Sequence, residues 1–144
     1  METLMGLWRA QCAAAPEAPF LTCEDPDTGV CQSWTYGEFD ERVERSARAL
    51  LTLGVRPGDR VGVRSGNSPV LVELLLAVAR IGAVIVPLPA LASTRECVQV
   101  VEATRPVLVV VEEPRHLDEL RSRLPWVRVR PVSGSPEALE RVVP

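Results

Sequence analysis

The sequence predicts an α/β protein with a mainly parallel sheet and helices on both faces, preceded by an N-terminal helix and a β-hairpin. Three observations carry this. Strand-like and helix-like segments alternate from residue 60 onward, and each crossover has the length a βαβ unit needs. The runs at 83–88 and 107–111 are apolar without polar alternation, as in strands covered on both faces. Capping residues, glycines and prolines stand at the expected segment ends.

Each element has its own warrant. Leu4, Leu7, Trp8 and Cys12 fall at helical spacing, and Pro16 stops that helix. Residues 19–24 and 31–35 are strand-like, and Asp25-Pro26-Asp27-Thr28-Gly29 between them is a turn. Thr35-Tyr36-Gly37-Glu38 is a capping box. The helix it opens repeats Phe39, Val43, Ala47, Leu50 and Leu51, carries Glu41–Arg45 and Glu44–Arg48 pairs, and ends at Gly54. A strand at Arg60–Arg64 follows the turn Arg56-Pro57-Gly58-Asp59. Pro69 suits the first position of an apolar helix from Val70 to Ile81, which Gly82 caps. Ser93-Thr94-Arg95-Glu96 is a second capping box, and its helix stops before Pro106. A helix at 115–124, a strand at 126–129 and a short helix opening at Ser135-Pro136-Glu137 complete the order.

The chain has 144 residues, 47% hydrophobic and 24% charged, which suits a single domain over 1–144 and excludes disordered, collagen-like and disulfide-scaffold classes. A net charge of −3 offers no basic surface for nucleic acid. All 16 basic residues are arginine. No mechanism that needs an ammonium group from this chain is open to it. The start Met1-Glu2-Thr3-Leu4 lacks the basic, then apolar, pattern of a secretory signal. Glu73, Arg80, Pro87 and Pro89 interrupt the most apolar region, so no membrane span is expected. Cys12, Cys23, Cys31 and Cys97 form no CxxC pair and read as free thiols in a reducing cytoplasm.

Chemistry is sparse. Gly54, Gly58, Gly62 and Gly66 match neither a Walker A loop nor a dinucleotide fingerprint, and read as caps and turns. The loop Ser65–Ser68 lies between a strand end and a helix start, where open α/β sheets place ligands. It reads either as an anion site or as plain helix capping by Asn67 or Ser68. Glu112-Glu113 reads either as a metal-binding pair or as the end of a strand. The carboxylates around 38–48 read as a solvated face paired with arginines. His116 has no second histidine nearby. No catalytic, cofactor-binding or metal residue is assigned.

An ordered set of segments adds to this reading. Trp34-Thr35-Tyr36-Gly37-Glu38-Phe39-Asp40-Glu41-Arg42-Val43 is followed by Ala47-Arg48-Ala49-Leu50 and Leu53-Gly54-Val55. Pro57-Gly58-Asp59-Arg60-Val61 and Gly66-Asn67-Ser68-Pro69 come next. Then come Arg80-Ile81-Gly82-Ala83-Val84-Ile85-Val86-Pro87-Leu88 and Ser93-Thr94-Arg95-Glu96. From about Leu4 to Leu124 this order resembles the N-terminal part of the AMP-forming adenylating enzymes, and within them the fatty-acid or aryl acyl-CoA synthetases. The resemblance implies activation of a carboxylic acid with ATP and Mg to an acyl-adenylate, then transfer to coenzyme A or a carrier thiol. The family's phosphate loop, adenine and ribose contacts and catalytic lysine find no match in this sequence. Pro89 and Ala90 stand where the family often has Asn or Asp and then Pro. Leu91-Ala92 stand where some members have a basic residue for coenzyme A phosphates.

The resemblance therefore implies a synthetase segment that is inactive alone and binds no cofactor by itself, completed by the remainder of the enzyme on another chain. A non-enzymatic relic or protein-interaction module on the same scaffold, and an unrelated small α/β protein, are the alternatives. The helix Val70–Ile81 and the strand Ala83–Leu88 are expected to leave an apolar patch that favours a partner chain or self-association.

Overall fold

The computed structural model describes residues 1–132. Helix α1 (Leu4–Ala14) precedes a hairpin of β1 (Pro19–Glu24) and β2 (Cys31–Thr35). Then follow α2 (Tyr36–Thr52), β3 (Arg60–Ser65), α3 (Pro69–Arg80), β4 (Val84–Pro89), α4 (Thr94–Thr104) and β5 (Leu108–Val111). A 3-10 turn (Pro114–His116), α5 (Leu117–Arg123) and β6 (Arg128–Pro131) close the described part. The expected elements are present with ends shifted by one or two residues. The exceptions are the helix at 115–124, which Pro114 opens as a 3-10 turn, and the short helix at 135, which lies outside the described residues.

The hairpin is antiparallel and separate. The other four strands form one parallel sheet in the order β4-β3-β5-β6. The strand that follows β3 pairs on one side of it and the next pairs on the other, so the winding reverses at β3.

Two apolar layers hold the sheet. Phe39, Val43 and Leu50 of α2, and Leu74 and Val78 of α3, pack on the face carrying Val61, Val63, Leu108 and Val110. Cys97, Val98 and Val101 of α4, with Leu120 and Leu124, pack on the face carrying Val86, Leu88, Val109, Val111 and Val129. All four residues of β5 are buried, which explains its lack of polar alternation. Each fully buried side chain of the Leu or Phe kind contributes about 1.5–3 kcal/mol.

The helix ends follow local chemistry. Gly54 and Gly82 follow α2 and α3 with φ of +90° and +73°. Each makes the paired bonds of a Schellman ending, with Gly54 N–H to the Leu51 carbonyl and Val55 N–H to the Leu50 carbonyl at 3.0 and 3.1 Å in α2. At α4 the whole capping box forms. At α2 the Thr35 hydroxyl accepts from the Glu38 N–H at 3.2 Å, which is half of the box. Thr35 is also the last residue of β2 and pairs with Pro19.

An aromatic cluster joins the N-terminal elements to α2. The Trp8 ring lies 4.8 Å from Phe20 and 5.6 Å from Tyr36, and its Nε1–H donates to Asp40 at 2.7 Å. Arg80 pairs with the same carboxylate at 2.9 Å, tying α1, α2 and α3 together.

One expectation needs correction. The charged residues of α2 are not all solvated: Arg42 is 3% exposed and pairs with Glu73 of α3. Among the described residues Glu44–Arg48 forms an ion pair and Glu41–Arg45 does not. The apolar helix α3 is covered over most of its length by α2, α1 and the sheet. Leu75 remains 38% exposed, beside half-buried Leu71 and Val72.

Candidate functional site

Reversal of the winding puts the crevice of this sheet between the carboxyl ends of β3 and β5. Two loops meet there. Ser65 ends β3, Gly66 and Asn67 turn the chain, and Ser68 precedes Pro69 at the first position of α3. Glu112 follows β5, and its N–H donates to the Arg64 carbonyl at 2.9 Å.

Ser68 is the cap residue of α3 by backbone geometry, but its side chain makes no cap bond. Its hydroxyl donates instead to Glu112 Oε2 at 3.0 Å, and the Ser65 hydroxyl donates to the same oxygen. The positive end of α3 therefore faces a carboxylate from this chain. Ser68 thus holds the cap position by its backbone alone, with its hydroxyl turned away from the helix. Both hydroxyls of the loop are turned to Glu112. Glu112 and Ser68 lie 44 positions apart, so the pairing leaves no trace in local spacing.

Outside this contact the crevice opens into a cleft of about 620 Å³, walled by the hairpin turn, the start of α3 and Glu112-Glu113. Its lining holds Glu24, Asp25, Asp27, Glu112 and Glu113, with no arginine or histidine among the lining residues. Asp25 accepts N–H groups of Asp27 and Thr28 at 2.8 and 3.1 Å, which hold its carboxyl below the ordinary range. A wall of carboxylates repels phosphate. Glu113 turns to Arg115 at 2.6 Å and lies 3.7 Å from His116. Among the described residues no group of three or more His, Cys, Asp and Glu side chains converges as a metal site.

The four cysteines are free. Burial pushes the Cys12 and Cys97 thiols up, against the lowering influence of Arg80 and Arg64 respectively. Arg64 carries no local sequence signal that marks its role. It is 4% exposed and donates to the Ala90 and Ala92 carbonyls at 3.3 and 2.8 Å. It thereby braces the β4–α4 loop, where the resemblance left Leu91-Ala92 without a basic residue. Among the described residues no helix is long and apolar enough to cross a membrane.

The described architecture is a parallel sheet that reverses at β3, with helices on both faces and an appended helix and hairpin. The chain belongs to the AMP-binding enzyme family, which matches residues 8–141. That family consists of ATP-dependent adenylating ligases. The chain is 40% identical over 63 residues to the acyl-CoA ligase sidI of Aspergillus fumigatus, covering 44% of this chain and 10% of the relative. It is 31% identical over 90 residues to a crotonobetaine/carnitine–CoA ligase of Escherichia coli, covering 62% and 17%. The crystal structure of VinN superposes with a TM-score of 0.83 at 25% identity, over 98% of this chain and 34% of that one. The chain thus spans a small part of the length of the relatives it matches.

Proposed function

We propose that this chain is the N-terminal scaffold of an AMP-forming acyl-CoA synthetase and does not adenylate a carboxylic acid by itself. The observation that carries this reading is Glu112 seated against the start of α3, in an acidic crevice. An adenylating site must stabilise phosphate charge as pyrophosphate leaves, and cationic groups do that work. Here the two hydroxyls at the strand-to-helix loop donate to Glu112, carboxylates line the cleft beside them, and the sequence offers no lysine. The names of the acyl-CoA ligase relatives support a carboxylic acid as substrate and coenzyme A as acceptor of the complete enzyme. ATP, Mg and coenzyme A are then held by residues elsewhere in the complete enzyme. In this reading the chain supplies a rigid layer against which the remaining machinery packs, on the same or a second polypeptide.

ATP–pyrophosphate exchange tests the proposal. The purified chain is assayed alone and with any polypeptide from a neighbouring reading frame that carries a Ser/Thr/Gly-rich loop ending in Pro-Lys-Gly. No exchange is expected alone, and exchange is expected with the completing polypeptide. Exchange by this chain alone contradicts the proposal.

A further inference from the structure

We infer that the β4 margin of the parallel sheet is a closed edge that accepts no further strand, and that β6 is blunted by the same means. The register alone carries the inference, independently of the ligase reading. The Val84 N–H donates to the Asp59 carbonyl at 2.8 Å, so the backbone of Val84 faces β3. Strand alternation then turns Val86 and Leu88 toward β3, and Ile85, Pro87 and Pro89 away from it. Two of these three outward positions have no N–H. A strand laid beside β4 finds Ile85 as its sole backbone donor.

The device recurs at the opposite margin. The Val132 N–H donates to the Val111 carbonyl at 2.8 Å, which turns Val129 and Pro131 outward. Pro131 offers no donor, and Arg121 Nε–H covers the Val129 carbonyl at 3.1 Å. The central strands β3 and β5 contain no proline. Among the described residues of this sheet, proline thus occurs only where it removes an outward donor. An apolar edge such as β4, with Val84 49% exposed, otherwise templates backbone pairing between copies. Contacts made by this region with a second copy, or with another polypeptide, run through helices and loops and not through strand addition at β4.

Amide exchange followed by NMR on the whole chain at increasing protein concentration tests this. The Ile85 amide is expected to exchange as an open amide at every concentration. In the Pro87→Val/Pro89→Val variant, the amides at 85, 87 and 89 should gain protection with concentration, about tenfold or more. Pro87→Val alone serves if the double variant fails to fold, with the same expectation at 85 and 87. Concentration-dependent protection of Ile85 in the natural chain overturns the inference. So does a folded variant whose edge amides stay open.

Discussion

The Arg42 guanidinium and the Glu73 carboxylate lie 2.7 Å apart between α2 and α3, with side chains 4% and 7% exposed. Nε donates the aligned hydrogen bond at 2.9 Å, while the contact from Nη2 acts through charge. Ser46 donates to the other carboxylate oxygen, and the guanidinium stacks 4.8 Å from the Trp34 ring. The two desolvated charges satisfy each other, so removing one strands the other. Glu73→Gln should cost about 3–5 kcal/mol in urea unfolding, whereas the apolar pair Arg42→Met/Glu73→Leu should recover most of that loss. A Glu73→Gln variant as stable as the natural chain contradicts this.

Gly62 lies in β3 with β4 on one side and β5 on the other. A Cβ there would meet Val109 Cγ2 at 3.2 Å. Neither flanking strand can retreat without breaking the ladder. Gly62→Ala should destabilise by about 1 kcal/mol, the overpacking cost exceeding the gain in chain entropy. A double-mutant cycle with Val109→Ala should show the two losses to be less than additive.

Arg105 ends α4 with φ of +52°, a left-handed conformation that glycine adopts without strain. Its guanidinium sits 4.3 Å from the Trp126 ring, which offsets part of that strain. Arg105→Gly should raise thermal stability slightly in the natural background and by about 1 kcal/mol in a Trp126→Ala background. Equal effects in both backgrounds would remove the stacking from the account.

Two exposed carboxylates set an acid limit. Glu96 is held below its ordinary value of 4.5 by the Ser93 N–H and hydroxyl, and Asp25 below 3.8 by the N–H groups of Asp27 and Thr28. A depressed folded-state pKa adds stability above the ordinary value and loses it as pH falls through the folded value. The melting temperature should therefore fall as pH drops below about 4.5, and Glu96→Gln should fall less steeply over that window. An equal slope would contradict the Glu96 assignment.

The order of elements is legible because each boundary is written locally. Thr35, Ser93, Pro69, Gly54 and Gly82 act within a turn of their own positions, and all stand at the ends they announce. What was not legible depends on residues far apart in the chain. Arg42 looks like one of several surface arginines until α3 brings Glu73 from 31 positions away. Ser68 caps α3 with its backbone, but its hydroxyl turns to Glu112, which follows β5 44 positions away. Trp126 looks like the first residue of a strand, but it is 44% exposed under Arg105, and β6 begins at Arg128. In each case, a distant partner offered the side chain more than its local neighbours did.

If the chain is the scaffold of a ligase, as proposed, its own crevice takes no nucleotide. Titration of the isotope-labelled chain with Mg·ATP, read at the amides of Ser65–Val70 and Glu112, tests it most directly. No saturable shift is expected at these amides. A saturable shift centred on Ser65, Ser68 and Glu112 would show that the crevice takes nucleotide, and would contradict it.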